Sequence, residues 1–193
     1  VDAVLAADGG AFVLCTSYAA VRAYATAVRA GAGERLVLVQ GEGGRSVILE
    51  RFRENRRAVL IGTDSFWEGV SVRGEGLRLV IIPRIPFRVP TEPLLQARLE
   101  KIAARGGDPF RSYSLPDAVL KLRQGYGRLI RSRADRGVVV LLDRRVHEKT
   151  YGAVVLRSLP PARRVTGPWA QVLDALRAAF TAPGSGSGSA PTG

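Results

Sequence analysis

The chain has 193 residues, 46% of them hydrophobic, with a formal net charge of +12 and a pI near 11.1. That length suits one domain, and that apolar share supports a packed core, which excludes a wholly disordered chain. Lysine occurs only at Lys101, Lys121 and Lys149, so 26 of the 29 basic residues are arginine. Arginine favours planar, bidentate contact with phosphate or carboxylate, although an arginine- and alanine-rich chain also follows from a GC-rich genome. The single Cys15 excludes an intrachain disulfide and, with one histidine, argues against a structural zinc site. The cysteine usage points to a reducing, cytoplasmic setting, and no membrane-spanning run or signal-peptide pattern is present. With no methionine anywhere, the opening "VDAVLAADGG" reads as cut from something longer.

In chain order, "AFVLC" (11 to 15) is a short apolar strand, and Thr16 and Ser17 stand where they can cap the helix "YAAVRAYATAVRA" that Gly31 stops. "RLVLVQ" (35 to 40) is a second strand, "GEGG" a loop, and residues 45 to 55 an amphipathic helix with Val47, Leu49 and Phe52 among its apolar positions. "AVLIG" (58 to 62) and "LRLVIIP" (77 to 83) are the third and fourth strands. Pro83, Pro86, Pro90 and Pro93 stiffen the loop that opens onto a helix at 94 to 107. A further helix runs from about Leu115 to Arg131, and "GVVVLLD" (137 to 143) is a fifth strand ending on Asp143. Two closing helices are expected at 151 to 160 and 169 to 180. The tail from Pro183 has a linker's Gly/Ser/Pro composition and is expected to be disordered, so the domain is placed at 1 to 182 and the tail at 183 to 193. There is no internal repeat. Near-continuous apolar strands alternating with helices predict an α/β fold, a parallel sheet covered on both faces, whose ligands sit at the carboxyl ends of the strands.

Two stretches carry chemistry. In "QGYGRLIRSR" (124 to 133), helical spacing puts Gln124, Arg128 and Arg131 on one face, while Gly125 and Gly127 keep the neighbouring surface low. Planar guanidinium groups there suit a polyanion and the charge on a transferring phosphoryl group; a solvated basic face with incidental glycines has the same spacing. "GTDSFWEGVSVRG" (62 to 74) is a polar loop at the carboxyl end of the third strand, where a site belongs, or else a turn with Phe66 and Trp67 tucked into the core.

Taken in order, these stretches resemble the helicases of superfamily 2, in the DinG/XPD-like branch. "GTDSFWEGVSV" is similar to motif V, "QGYGRLIRSRADRG" to motif VI (Gln-x-x-Gly-Arg-x-x-Arg) and "FVLCTSY" (12 to 18) to motif IV. The likeness continues through "IIPRIPFRVPTEP", "DPFRSYSLPDAVLKLRQG" and "VVVLLDRRV", covering roughly 11 to 160.

The resemblance implies a RecA-like second motor domain of an ATP-dependent DNA helicase. Gln124, Arg128 and Arg131 would face ATP held by the first RecA-like domain, with Arg131 as the finger on the γ-phosphate. Gly62, Glu68 and Gly69 of the motif V loop would lie at the interdomain cleft and couple ATP state to DNA grip, with Ser71 of the same loop on the nucleotide's side. Thr16 and Ser17, at a helix N-terminus, would hold the backbone of single-stranded DNA, a reading that the capped backbone N–H groups there also support; plain helix capping is compatible with it. Asp143 would orient a motif VI arginine or sit in a surface ion pair. The implied polarity is 5′ to 3′, the implied role DNA repair or replication, and the implied molecule a monomer in the bacterial cytoplasm.

Two departures stand out. Ser71 occupies a place where the branch has an acid, so any contact that acid makes within the loop or to the nucleotide's ribose must be remade or lost. There is also no Gly-x-x-x-x-Gly-Lys-Ser/Thr and no acidic box for Mg2+, and "GEGGRS" lacks the lysine. In the family ATP and Mg2+ are held mainly by the first domain, as is any iron–sulfur cluster, so this chain alone is expected to be inactive. The competing reading is a stand-alone basic nucleic-acid-binding module, which accounts for the charge and the missing Walker motif but not for three motifs in family order. A small-molecule α/β enzyme lacks a nucleophile–base pair, and His147, after strand five, is taken as a surface residue.

Overall fold

In the computed structural model the described residues are 1–7, 9–67, 76–89, 92–129 and 136–181, with Asp64, Trp67 and Arg128 described by their backbone alone. Five strands, β1 (Ala11–Cys15), β2 (Val37–Val39), β3 (Val59–Thr63), β4 (Leu79–Ile82) and β5 (Val138–Leu141), form one sheet in the order β2-β3-β1-β4-β5. Every pairing is parallel, with Ala11 level with both Val59 and Leu79, and Leu79 level with Val138. Strands so placed are covered on both sides, which is why all five residues of β1 and of β3 are buried and no polar alternation appears in their sequence.

The pleat divides the apolar residues between two cores. Phe12 and Leu14 of β1, Leu60 of β3, and Val80 and Ile82 of β4 face one; Ala11, Val13 and Cys15, with Val59, Ile61, Leu79 and Ile81, face the other. Helix α1 (Asp2–Ala6), α2 (Tyr18–Gly31) and α9 (Trp169–Thr181) close the second core through Val4, Val21, Val28, Leu176 and Phe180. The first core takes α3 (Arg45–Glu54), the turn α4 (Asp64–Trp67), α6 (Leu115–Leu129), α7 (Arg145–Glu148) and α8 (Gly152–Ser158). Helix α5 (Pro93–Ala104) stands apart, with Leu95 its one fully buried side chain. A wide turn at Phe110–Ser114 leads into α6, its entry fixed by Asp108, whose carboxylate accepts from Phe110 N (2.9 Å) and Arg111 N (3.1 Å).

Placement corrects detail in several elements. On α3, Ile48 joins Leu49 and Phe52 in the core, while Val47 is 55% exposed. On α6 the inward stripe is Leu115, Ala118, Leu122, Gly125 and Leu129, so Gly125 is buried beneath the helix and only Gly127 lies at its surface. Helices α1, α4 and α7 are too short for periodicity to reveal. The tail assigned to 183–193 lies outside the described residues, and among those described no helix is long and apolar enough to cross a membrane.

Candidate functional site

Because the strands are parallel, their carboxyl ends make one edge. The chain leaves β1 there through Thr16 and Ser17, both exposed. The Ser17 side chain accepts a hydrogen bond from Ala20 N at 3.2 Å, capping α2. Its hydroxyl satisfies one backbone donor of the fourteen-residue helix, and the remaining first-turn N–H groups give this end a partial positive charge. On the neighbouring strand, Ile81 of β4 is level with Val13, which puts Arg84 at about the level of Thr16. Arg84 is exposed, and its guanidinium takes no carboxylate among the described residues. The helix after β1 returns towards β2 and the one after β4 towards β5, so Thr16, Ser17 and Arg84 flank the point where the sheet's winding reverses.

Gly62 is buried near the end of β3, not open at the edge. A Cβ there would stand 3.1 Å from Gln40 Oε1 and 3.2 Å from Phe66 Cβ. The glycine therefore admits the Gln40 amide and the Phe66 ring. Thr63 N donates to Gln40 Oε1 at 2.6 Å, and the Thr63 hydroxyl lies 3.0 Å from that oxygen and from Ser65 Oγ. Gln40 Nε2 donates to the Tyr18 hydroxyl at 3.1 Å and to Ser65 Oγ at 3.4 Å. Phe66 is buried beneath the guanidinium of Arg45, 5.7 Å from its ring centre. Glu68, Gly69 and Ser71 lie outside the described residues.

Asp143, two residues past the end of β5, is buried. Its oxygens accept from Ile85 N (2.8 Å), Arg145 N (3.1 Å), Arg145 Nε (2.9 and 3.0 Å) and Arg145 Nη2 (2.6 Å). Burial alone would raise its pKa, but the Arg145 guanidinium and the two backbone N–H groups outweigh that and hold the carboxyl below the ordinary value of 3.8. Arg145 also lies over Phe87, 5.3 Å from the ring centre, within a cluster of Phe87, Phe110 and Tyr151. The strand-end acid thus pins the proline-rich loop that carries Arg84. It forms an ion pair with the next arginine but one, in which the carboxylate is buried and the guanidinium half-exposed. His147 is exposed.

Gln124 is exposed on α6, and Arg128 follows it by four residues on the same helix, its side chain not described; Arg131 lies outside the described residues. The end of α6 approaches the start of β5, where a Cβ on Gly137 would come within 2.6 Å of Leu129. Since Val138 is level with Leu79, this is the amino edge of the sheet. The residues picked out from the sequence thus fall into two regions: the carboxyl edge with Thr16, Ser17 and Gly62, and the outer face of α6 with Gln124, running towards the opposite edge.

A family model described as "Helicase C-terminal domain" matches residues 1–162. The chain belongs to that family. It is 51% identical over 157 residues to the "ATP-dependent DNA helicase YoaA" of Escherichia coli, covering 81% of this chain and 24% of that protein. With the "ATP-dependent helicase DinG" of Mycobacterium tuberculosis it shares 44% over 179 residues, 91% of this chain and 26% of that one. The solved structure named "XPD_Helicase" superposes with a TM-score of 0.59 at 21% identity, over 80% of this chain and 28% of its own, a likeness of fold. The domain is thus the DinG/XPD-like helicase C-terminal domain with a RecA-like α/β sheet, and it spans about a quarter of the length of the curated relatives it matches.

Proposed function

We propose that this domain is the second motor domain of an ATP-dependent DNA helicase. It grips single-stranded DNA along the carboxyl edge of its sheet and completes an ATP site with the outer face of α6. The observation that carries the reading is the pairing, on one family-matched domain, of an exposed helix N-terminus at the sheet's reversal point with a separate helix, α6, on which Gln124 is exposed.

At the DNA edge, backbone N–H groups of α2's first turn, the Thr16 and Ser17 hydroxyls and the Arg84 guanidinium offer donors to successive phosphates, contacts that hold the strand without reading sequence. On the other side, ATP and Mg2+ sit mainly on a first RecA-like domain elsewhere in the protein. Gln124 and Arg128 face the nucleotide, and Arg131 supplies the charge that stabilises the transferring γ-phosphoryl group. Closure on ATP and opening after hydrolysis carry the DNA-holding edge relative to the first domain, moving it stepwise along the strand in the 5′ to 3′ direction. Any iron–sulfur cluster also belongs to the first domain. The setting is DNA repair or replication in the bacterial cytoplasm, by a monomer.

A stand-alone binding module would share the phosphate contacts but have no use for the α6 face. The test is binding of this chain to oligo(dT) without ATP, across a salt titration, beside a Thr16→Ala/Ser17→Ala variant. Affinity falling steeply with salt, and weakened at every salt in the variant, supports a built DNA edge. Binding indifferent to Thr16 and Ser17 would contradict it, leaving the arginines as a general polyanion surface.

A further inference from the structure

The carboxyl edge holds one connection that neither motif IV nor motif V contains. Gln40, the residue after β2, reaches across the ends of two other strands' exits: Oε1 to Thr63 (2.6 Å from N, 3.0 Å from Oγ1), and Nε2 to Tyr18 (3.1 Å) and Ser65 (3.4 Å). The amide's orientation follows from its partners. Thr63 N–H is a donor and requires the oxygen, which turns the NH2 towards the Tyr18 and Ser65 hydroxyls. The backbone of Gln40 is itself tied to β3, its N–H donating to Ile61 O at 2.9 Å. Gly62 leaves the space the side chain occupies.

We propose that Gln40 is a positioning residue, coupling the DNA-holding turn after β1 to the motif V segment after β3. The proposal rests on the helicase reading above. Tyr18 is the first residue of α2, adjacent to the Ser17 cap, and Thr63 and Ser65 begin the segment that runs into Glu68, Gly69 and Ser71. A displacement of the motif V segment on nucleotide binding moves Thr63 N–H and Ser65 Oγ, and the amide transmits it to the Tyr18 hydroxyl. Coupling between sites requires an element whose state both bias, and a four-partner amide bridging two loops supplies one. Gln40 touches neither reacting atoms nor phosphate in this account; it sets where the groups that do are held.

The test uses the full-length protein that carries this domain. ATP hydrolysis is measured with and without oligo(dT), and oligo(dT) affinity in parallel, for wild type, Gln40→Ala, Tyr18→Phe and the double variant. Tyr18 is 55% exposed, so replacing it by phenylalanine removes one hydroxyl and leaves the packing in place. The expected result is a fall in DNA stimulation of on the order of fivefold in each single variant, the lower range of coupling between sites, with the double variant no worse than Gln40→Ala alone. A merely structural role would lower turnover with and without DNA alike and leave their ratio unchanged, which overturns the proposal. So does a double variant whose loss is the product of the two singles, since the two changes would then act on separate interactions. If wild type shows no DNA stimulation at all, the helicase reading fails and this inference with it; wild-type stimulation that Gln40→Ala retains sinks the inference alone.

Discussion

Removing the carboxylate of Asp143 should unfasten the proline-rich loop from β5. In Asp143→Ala, Ile85 N–H loses its 2.8 Å acceptor in a buried position, which costs about 1–3 kcal/mol for an unsatisfied donor. Arg145 also loses its partner, but its side chain is 36% exposed and water screens the charge, so that part is held to at most about 1 kcal/mol. The sum is about 1–4 kcal/mol. Asp143→Asn keeps one oxygen for Ile85 N–H and loses mainly the charge, for about 1 kcal/mol. At roughly 2–4 °C per kcal/mol for a domain of this size, the alanine variant should melt about 2–16 °C below wild type, with the asparagine variant between. Because folding depresses this pKa below 3.8, the stabilisation is present above that value and lost as pH falls through the lower folded one. Urea melts at pH 7 and in the acid range should therefore show the difference between wild type and Asp143→Ala narrowing below about pH 4. Both variants within about 0.5 kcal/mol of wild type at pH 7 would show that Asp143 does not fasten the loop.

Gly62→Ala should destabilise by about 1–3 kcal/mol through overpacking. The cost should shrink in a Gln40→Ala background, where Oε1 no longer stands 3.1 Å from the new methyl; equal cost in both backgrounds would show that Gln40 is not the obstacle. Cys15 is buried, and burial pushes its thiol pKa up to about 12, so a thiol reagent at pH 8 should label it only in denaturant. Rapid labelling of the folded domain would contradict the packing of β1.

The sheet was readable because a parallel sheet buried on both faces writes each strand as an apolar run: "AFVLC" and "AVLIG" correspond to β1 and β3 within a residue or two. Which helical residues turn inwards was less so. The run Val47-Ile48-Leu49 offers three apolar side chains in a row, and only the position of α3 on β2 decides that Val47 is the one left in solvent. Gly125 and Gly127 look equivalent in sequence, yet the stripe through Leu122 and Leu129 takes one and not the other. Ser17 was legible because capping is local. Gln40 was not: it closes a strand run without any spacing signal, and its partner Thr63 lies 23 residues away. Arg145 was hidden in the same way, since its role depends on the depth of Asp143 and on Phe87 arriving from another loop.

Completion of an ATP site by an arginine from the stretch "GRLIRSR" is what makes this domain a motor rather than a binding module. The decisive measurement is ATP turnover of the full-length protein with Arg131→Ala, at saturating oligo(dT). A finger at Arg131 reduces turnover on the order of a thousandfold while oligo(dT) affinity persists; near-normal turnover would show that Arg131 does not serve the γ-phosphate.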